Sequence, residues 1–114
     1  MDTQLECNGD TMIVRLNGEL DQHYATGLRT HIDSQAARVG VRRIVFDFTR
    51  VGFMDSSGIG VIMGRYRLMQ SVGGSVSAFG ASPRLDKLIE MSGIKRIITM
   101  YADEEAALGG RKEG

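Results

Sequence analysis

The sequence has no tryptophan, a single proline, a single cysteine and no long hydrophobic run. Because Cys7 has no second cysteine to pair with, no disulfide can form within the chain, which is typical of a reducing compartment. We expect Cys7 to be buried or half-buried. No apolar stretch approaches the roughly 20 residues that span a bilayer, and the first residues lack the basic and apolar regions of a signal peptide. The sequence therefore predicts a cytoplasmic protein with no membrane partner.

Neither sign of charge is in excess, since 14 Lys and Arg residues balance 14 Asp and Glu residues. A chain without net positive charge does not attract the phosphate backbone of a nucleic acid, so we expect no nucleic-acid partner. One cysteine and two histidines, His23 and His31, do not make a set of metal ligands, and no metal or cofactor is predicted. The two histidines are expected to be partly solvated.

A chain of 114 residues is long enough for one hydrophobic core, so we expect one domain over residues 1–114, with a frayed tail at 109–114. Turn residues, helix caps and the period of the apolar residues divide it into elements. The first predicted elements are strands at 3–8 and 11–17, the second ended by Gly18, and a helix from an Asp21 N-cap to about Gly40. A strand at 44–48 and a helix that ends at Gly73-Gly74 follow. The last elements are a strand at 75–79, a helix from a Ser82 N-cap to Gly93, a strand at 97–99 and a helix at 103–108.

This order of elements predicts an α/β fold. Strands that alternate with helices form a mostly parallel sheet with right-handed crossovers, and the opening hairpin adds an antiparallel N-terminal edge. Helical spacing predicts that Leu88 is buried on the third helix and that Arg65 and Arg67 form a solvated face of the second, from which Arg65 could help a partner to dock. The sequence thus predicts a small single-domain sheet with helices packed on it.

Residues 53–60 stand between a strand and a helix and combine two hydroxyls, a carboxylate and two glycines. The first N–H groups of a helix have no intrahelical partners and carry partial positive charge, so an anion, including a phosphate attached to serine, is favoured there. The candidate functional residues of this turn are Asp55, Ser56 and Ser57. Asp55 is at the same time a candidate N-cap of the helix.

Two enzyme-like interpretations of the turn are weaker. A serine nucleophile needs a base beside it, but the only imidazoles lie on the first helix and the Gly-x-Ser-x-Gly elbow is absent. Gly58, Gly60 and Gly64 give a loose dinucleotide fingerprint, but no acidic residue ends the strand that follows. We expect Gly58 to relieve the turn, and Gly60 and Gly64 to let the helix approach a neighbouring backbone. A serine that is modified fits better than one that does chemistry, so no enzyme is predicted.

The turn Asp55-Ser56-Ser57-Gly58-Ile59-Gly60, entered by Phe53-Met54 and left through residues 61–66, resembles the phosphorylation site of the STAS-domain anti-sigma factor antagonists. Gly18-Glu19-Leu20-Asp21, Ser82-Pro83 and Met91-Ser92-Gly93 also fall where that family has such residues. The resemblance covers residues 3–108 and is nearest to the branch that antagonises anti-sigma factor F in endospore-forming bacteria. It implies a STAS fold and a role in sigma factor regulation during sporulation. A general-stress antagonist of the same domain class is the nearest alternative.

The resemblance also implies a mechanism and its partners. The unphosphorylated antagonist binds an anti-sigma factor that is also a serine kinase of the GHKL type, and the sigma factor is released. The kinase can instead phosphorylate the antagonist, by resemblance on Ser57, and a PP2C-type phosphatase restores the active form. The residues that the resemblance assigns to partner binding are Asp21, Asp55, Ser56, Ser57, Gly58 and Ser82. Spacing alone does not separate Ser56 from Ser57 as the acceptor.

Physical chemistry supplies a reason for such a switch. A phosphate on Ser57 adds about −1.5 to −2 charges at neutral pH. Beside Asp55, on a surface that must lose its water against a partner, this charge would oppose docking through repulsion and the cost of desolvation. The helix start can accommodate the phosphate, so we expect modification to change the surface more than the fold.

Overall fold

The computed structural model describes residues 2–109. Within this range the chain forms five strands and four α-helices. They are β1 (Asp2–Asn8), β2 (Thr11–Leu20), α1 (Gln22–Val39), β3 (Arg43–Met54), α2 (Ser56–Ser71), β4 (Ser75–Phe79), α3 (Pro83–Met91), β5 (Thr99–Tyr101) and α4 (Glu104–Gly109). The tail that was expected to fray begins at Gly109, the last residue of α4, and the rest of it lies outside the described residues.

The strands form one sheet in the order of the sequence, β1-β2-β3-β4-β5. β1 pairs antiparallel with β2, and every later pair is parallel. Successive right-handed crossovers to the next strand place their helices on the same face, and α1, α2 and α3 do contribute to one core cluster. The predicted α/β fold, with its antiparallel edge and its helix-covered sheet, is confirmed.

The two faces of the sheet carry cores of different size. The rings of Phe46 and Phe48 stack at a centroid distance of 5.7 Å in the larger core, beneath α1, α2 and α3. On the opposite face α4 is short, and its Ala107 packs against Val45 and Phe79. The helices α1, α2 and α3, each of which follows a parallel strand, therefore all pack on the face of the sheet that carries the larger core.

Strands β2 and β3 are both longer than the sequence predicted. Gly18 does not end β2 but lies at an irregularity in its pairing with β3, with a φ of 125° that glycine tolerates. β3 continues past Phe48, and the last pair of the two strands is Leu20 with Met54. Because each strand supplies hydrogen-bond partners for the other, the two strands extend together and end side by side.

Two further local predictions were wrong. A 3-10 turn at Ile94–Arg96 was not predicted, and it shifts β5 two residues beyond the predicted strand at 97–99. Ile98 is buried in the core beside that turn rather than paired in the sheet. Cys7 is exposed, because β1 is an edge strand and its Cys7 lies near the hairpin turn.

Candidate functional site

Three helices begin at one edge of the sheet. β2, β3 and β4 run parallel, so their carboxyl ends meet at this edge, and each is followed by a helix. Because Leu20 pairs with Met54, the residues that follow them, Asp21 and Asp55, hold equivalent places after neighbouring strands. Ser82 stands before the third helix. The structure thus brings the predicted site residues of three chain segments to the same edge.

The three predicted N-caps are confirmed. The Oδ1 atom of Asp21 accepts a hydrogen bond from the Tyr24 N–H at 3.2 Å. The Oγ atom of Ser82 accepts one from the Leu85 N–H, also at 3.2 Å, with Pro83 at the first helical position. Each oxygen satisfies a backbone donor that the helix itself leaves unpaired.

Asp55 binds the starts of two helices. Its Oδ1 accepts hydrogen bonds from the N–H groups of Ser57 at 2.8 Å and Gly58 at 3.4 Å, which lie in the first turn of α2. Its Oδ2 accepts one from the N–H of Gln22, the first residue of α1, at 3.2 Å. No sequence pattern indicated this second contact, because Gln22 and Asp55 are far apart along the chain. A shallow depression lies between the two helix starts, lined by Asp21, Gln22, His23 and Asp55.

The two serines differ in exposure. The side chain of Ser56 is exposed, whereas Ser57 is partly buried. Among the residues that the structure describes, none is hydrogen-bonded to either hydroxyl, while the Asp55 carboxylate already holds the first N–H groups of this helix. An anion attached to either hydroxyl would therefore stand beside an existing carboxylate.

Gly58 is buried where the start of α2 meets the ends of β2 and β3. A Cβ atom at this position would lie 3.1 Å from the carbonyl oxygen of Leu20 and would overlap the side chain of Met54. Gly60 and Gly64 have no such neighbours, since nothing lies within 4 Å of the place that a Cβ would take. The expectation that these two glycines let the helix approach a neighbouring backbone was wrong, and the close approach belongs to Gly58.

A small apolar pocket of about 330 Å³ adjoins the helix starts, between the end of β3 and α3. Its lining residues are Gly52, Phe53, Met54, Arg84, Leu85 and Leu88. Phe53 is 49% exposed and Leu88 is 38% exposed, so the prediction that Leu88 is buried was wrong. α3 is only nine residues long, and its buried side chains are those of Leu85 and Ile89. Sequence reasoning missed this pocket because Leu88 was assigned to the buried face of the third helix, and Phe53 to the turn rather than to the end of β3.

Arg65 is the second residue whose environment was mispredicted. It is only 6% exposed, whereas Arg67 lies on the exposed side of α2 as predicted. The guanidinium of Arg65 lies 2.9 Å from Asp33 of α1, measured from Nε to Oδ1. Burial lowers the pKa of Arg65, and the neighbouring Asp33 carboxylate opposes that change. Arg65 therefore does not reach a partner from a solvated face.

His23 and His31 are both exposed on α1, which is consistent with the expected solvated positions. Over residues 2–109 no three His, Cys, Asp or Glu side chains gather as a metal site would require. None of the helices in that range has the length and apolar character to cross a bilayer.

Residues 2–107 match the family model of the STAS domain. The anti-sigma F factor antagonist of Paenibacillus polymyxa is 38% identical to this chain over 105 residues, which cover 92% of this chain and 90% of that protein. The anti-sigma-B factor antagonist of Bacillus subtilis (strain 168) is 32% identical over 101 residues, which cover 89% of this chain and 91% of that protein.

Solved structures of one antagonist in two states are also similar to this chain. The unphosphorylated anti-sigma factor antagonist SpoIIAA has 34% sequence identity and a TM-score of 0.84, over 96% of each chain. The phosphorylated form of SpoIIAA, a Bacillus cell fate determinant, has the same 34% identity and a TM-score of 0.75, over 96% of this chain and 100% of that one. The similarity in sequence and in fold therefore covers nearly the whole chain.

Proposed function

This chain belongs to the STAS domain family, and we propose that it is an anti-sigma factor antagonist controlled by a phosphate at the start of α2. Its unphosphorylated form binds an anti-sigma factor that is also a serine kinase of the GHKL type, and the sigma factor is released. Phosphorylation blocks this binding, and a PP2C-type phosphatase reverses it. The names of the similar antagonists support the regulatory role, and the existence of a phosphorylated SpoIIAA supports the switch.

One observation carries the proposal: the carboxylate of Asp55 already binds the first N–H groups of α2. A phosphate on the adjacent serine pair would bring the charge at this helix start to about −2.5 to −3, far more than the roughly +0.5 that the helix dipole supplies. Removing water from such a cluster costs several kcal/mol per uncompensated ion. A partner that fits the unphosphorylated edge is thereby excluded without any change of fold.

The proposed partner surface includes Asp21, Asp55, Ser56, Ser57, Gly58 and Ser82. It extends into the apolar pocket, because Phe53 and Met54 of that pocket directly precede Asp55 in the chain. The anti-sigma factor would then meet carboxylates at one end of the surface, and exposed apolar side chains with Arg84 at the other. Such a mixed surface has the polar and apolar parts that specific protein interfaces combine.

Ser57 is proposed as the phosphate acceptor on the strength of the family resemblance. The exposure of the neighbouring hydroxyl favours Ser56 as the alternative, since a kinase must reach the oxygen that attacks ATP. The two hydroxyls differ enough in environment for single alanine variants to separate them. Neither variant removes the Asp55 cap, so both are expected to stay folded.

The test is to mix the protein with its cognate anti-sigma kinase and ATP, and to map the modified residue by fragment mass. A single phosphate adds about 80 Da to the intact mass. If Ser57 is the acceptor, Ser57→Ala loses this gain and Ser56→Ala keeps it, and the reverse pattern assigns Ser56. If the parent protein gains no phosphate, the proposed switch is wrong.

Binding by the same variants tests the consequence of the charge. Ser57→Ala should bind the kinase as the parent does, and Ser57→Asp should bind more weakly. Circular dichroism must show both variants folded, because an unfolded domain would imitate lost binding. Normal binding by Ser57→Asp together with failed binding by Ser57→Ala would contradict the proposal.

A second candidate is a general-stress antagonist, favoured by the 32% identity to the anti-sigma-B factor antagonist. Both candidates use the same surface, so the difference lies in the partner. Purified anti-sigma factors of the sporulation and the stress classes from the same organism, compared at equal concentration, decide between them. The candidate whose anti-sigma factor binds more tightly to the unphosphorylated protein is retained.

A further inference from the structure

Arg65 joins the two helices whose starts form the candidate site. Its Nε lies 2.9 Å from the Asp33 Oδ1, and its Nη2 donates a hydrogen bond to the Asp33 Oδ2 at 3.2 Å. Its Nη1 donates to the carbonyl oxygen of Val61, one turn earlier in α2, at 3.2 Å. The planar guanidinium thus makes one hydrogen bond and one close charge contact to the Asp33 carboxylate of α1, while it is held against the backbone of α2.

Helices α1 and α2 are therefore connected at two separate points. The first is the contact between Asp55 and the Gln22 N–H at the helix starts. The second, between Asp33 and Arg65, lies roughly 15 Å along the helices at the usual rise of about 1.5 Å per residue. Two directional contacts this far apart oppose sliding of one helix along the other, whereas apolar packing alone is not directional.

We propose that Arg65 is a positioning residue: together with Asp33 it holds α2 against α1 in the relative position that lets Asp55, the N-cap of α2, reach the Gln22 N–H of α1. The effect on partner binding rests on the proposed function. The effect on the helix starts is independent of the proposed function, and it can be measured on the protein alone.

Stability by itself does not explain a buried arginine at this position. A buried ion pair is weak support for a fold, because apolar residues of similar size often replace it with no loss, whereas removal of one partner leaves a charge unpaired. Here the arginine is the buried partner and the Asp33 side chain is 41% exposed. Removing both charges together therefore separates the effect of the pair on the position of α2 relative to α1 from its effect on stability.

The variants follow from this asymmetry. Asp33→Ala leaves the guanidinium buried without its carboxylate and should destabilise the protein most. The double variant Asp33→Ala/Arg65→Met removes both charges and should unfold at a urea concentration close to that of the parent. Arg65→Lys keeps the positive charge but cannot contact both oxygens, so it is the conservative comparison.

The decisive measurement is hydrogen exchange of the Gln22 amide, with the Tyr24 amide as the internal control. Both amides lie at the start of α1, but Asp55 accepts from Gln22 across the helix pair and Asp21 accepts from Tyr24 locally. In the double variant we expect exchange at Gln22 to be at least fivefold faster than in the parent, with Tyr24 unchanged. Arg65→Lys should show the same pattern, and it serves alone if the double variant does not fold.

Two results would overturn the inference. If the Gln22 amide of a folded double variant exchanges at the same rate as in the parent, the Asp33–Arg65 pair is merely structural. If exchange at Gln22 and at Tyr24 accelerates equally, the start of α1 simply frays. Binding of the anti-sigma kinase should weaken at least fivefold in the folded double variant. If the parent itself binds no anti-sigma factor, the proposed function fails while the exchange result still decides the role of Arg65.

Discussion

The Oδ2 atom of Asp55 lies 3.2 Å from the backbone nitrogen of Gln22, which stands 33 positions earlier in the chain. The other oxygen of the same carboxylate caps the helix that Asp55 begins, through the N–H groups of Ser57 and Gly58. One side chain therefore satisfies backbone donors at two helix starts. A negative charge placed on the neighbouring serines acts on the junction of two helices as well as on the surface.

Asp55→Ala should destabilise the protein by about 1 to 2 kcal/mol, because it removes a helix cap together with the contact to Gln22. Asp55→Asn should cost less, since its carbonyl oxygen can still accept from the Ser57 N–H while its amide nitrogen cannot accept from Gln22. Urea unfolding measures both losses. Ser82→Ala is the control, because it removes the cap of α3 and leaves the junction intact. Equal losses in the two Asp55 variants would show that the cap contributes little and that the loss comes from the charge or the contact to Gln22, which both variants remove.

Gly58→Ala should destabilise the protein by about 1 to 3 kcal/mol, because the new methyl group meets the Leu20 carbonyl and the Met54 side chain. Gly60→Ala, two residues further along the same helix and open to solvent, should instead gain up to about 1 kcal/mol from helix propensity. Thermal and urea unfolding of the two variants give the comparison. If both variants gain stability, the start of α2 can move away from the strands at little cost.

Leu88→Gln should weaken binding of the anti-sigma factor about tenfold, because it places a polar amide at the apolar end of the proposed surface, and it should change stability by less than about 0.5 kcal/mol. The matched control is Leu68→Gln, because Leu68 is 36% exposed against 38% for Leu88, and it lies on α2 roughly 18 Å from Ser56 at about 1.5 Å per residue. Isothermal titration with the unphosphorylated protein compares the two. Equal weakening by both variants would remove the apolar pocket from the proposed surface.

A four-residue ion cluster fastens α4 to the far face of the sheet. Arg15 lies 2.7 Å from Glu6, 2.9 Å from Asp47 and 2.9 Å from Glu104. The hydrogen bond from Arg15 holds the pKa of Glu6 below its ordinary value of 4.5. Burial raises the pKa of Asp47, but hydrogen bonds from Thr49 and Arg15 outweigh this, so that it lies below its ordinary 3.8. Carboxyls with a lowered pKa in the folded state stabilise the fold above their ordinary pKa, and this contribution is lost as the pH falls through the lowered values.

Arg15→Met should therefore cost about 1 kcal/mol at neutral pH, a modest value because water screens the half-exposed glutamates. As the pH falls below 4.5, the ordinary pKa of Glu6, and then through the lowered values, the stabilities of parent and variant should converge. Urea unfolding across this range checks the sign. Arg50→Met is the control, because Arg50 lies beside the cluster but has no ion pair among the described residues. A gap that stays constant with pH would show that Arg15 acts through packing and not through charge.

Local chemistry made much of the site predictable. The N-cap roles of Asp21, Asp55 and Ser82 could be identified from the sequence because each cap and the N–H group that donates to it lie within three residues of each other. The predictions for Arg65 and Leu88 failed for the opposite reason. Helical spacing shows which residues share a face, but it does not show which neighbouring helix covers that face or how far the cover extends.

The sequence by itself determined the order of the elements, the serine turn and the caps, since these depend on residues adjacent in the chain. Only the tertiary structure decided the length of β2 and β3, the burial of Arg65 against Asp33 and the reach of Asp55 to Gln22. Those features need partners from distant segments, and such partners come within range only when the strands pair and the helices pack on them.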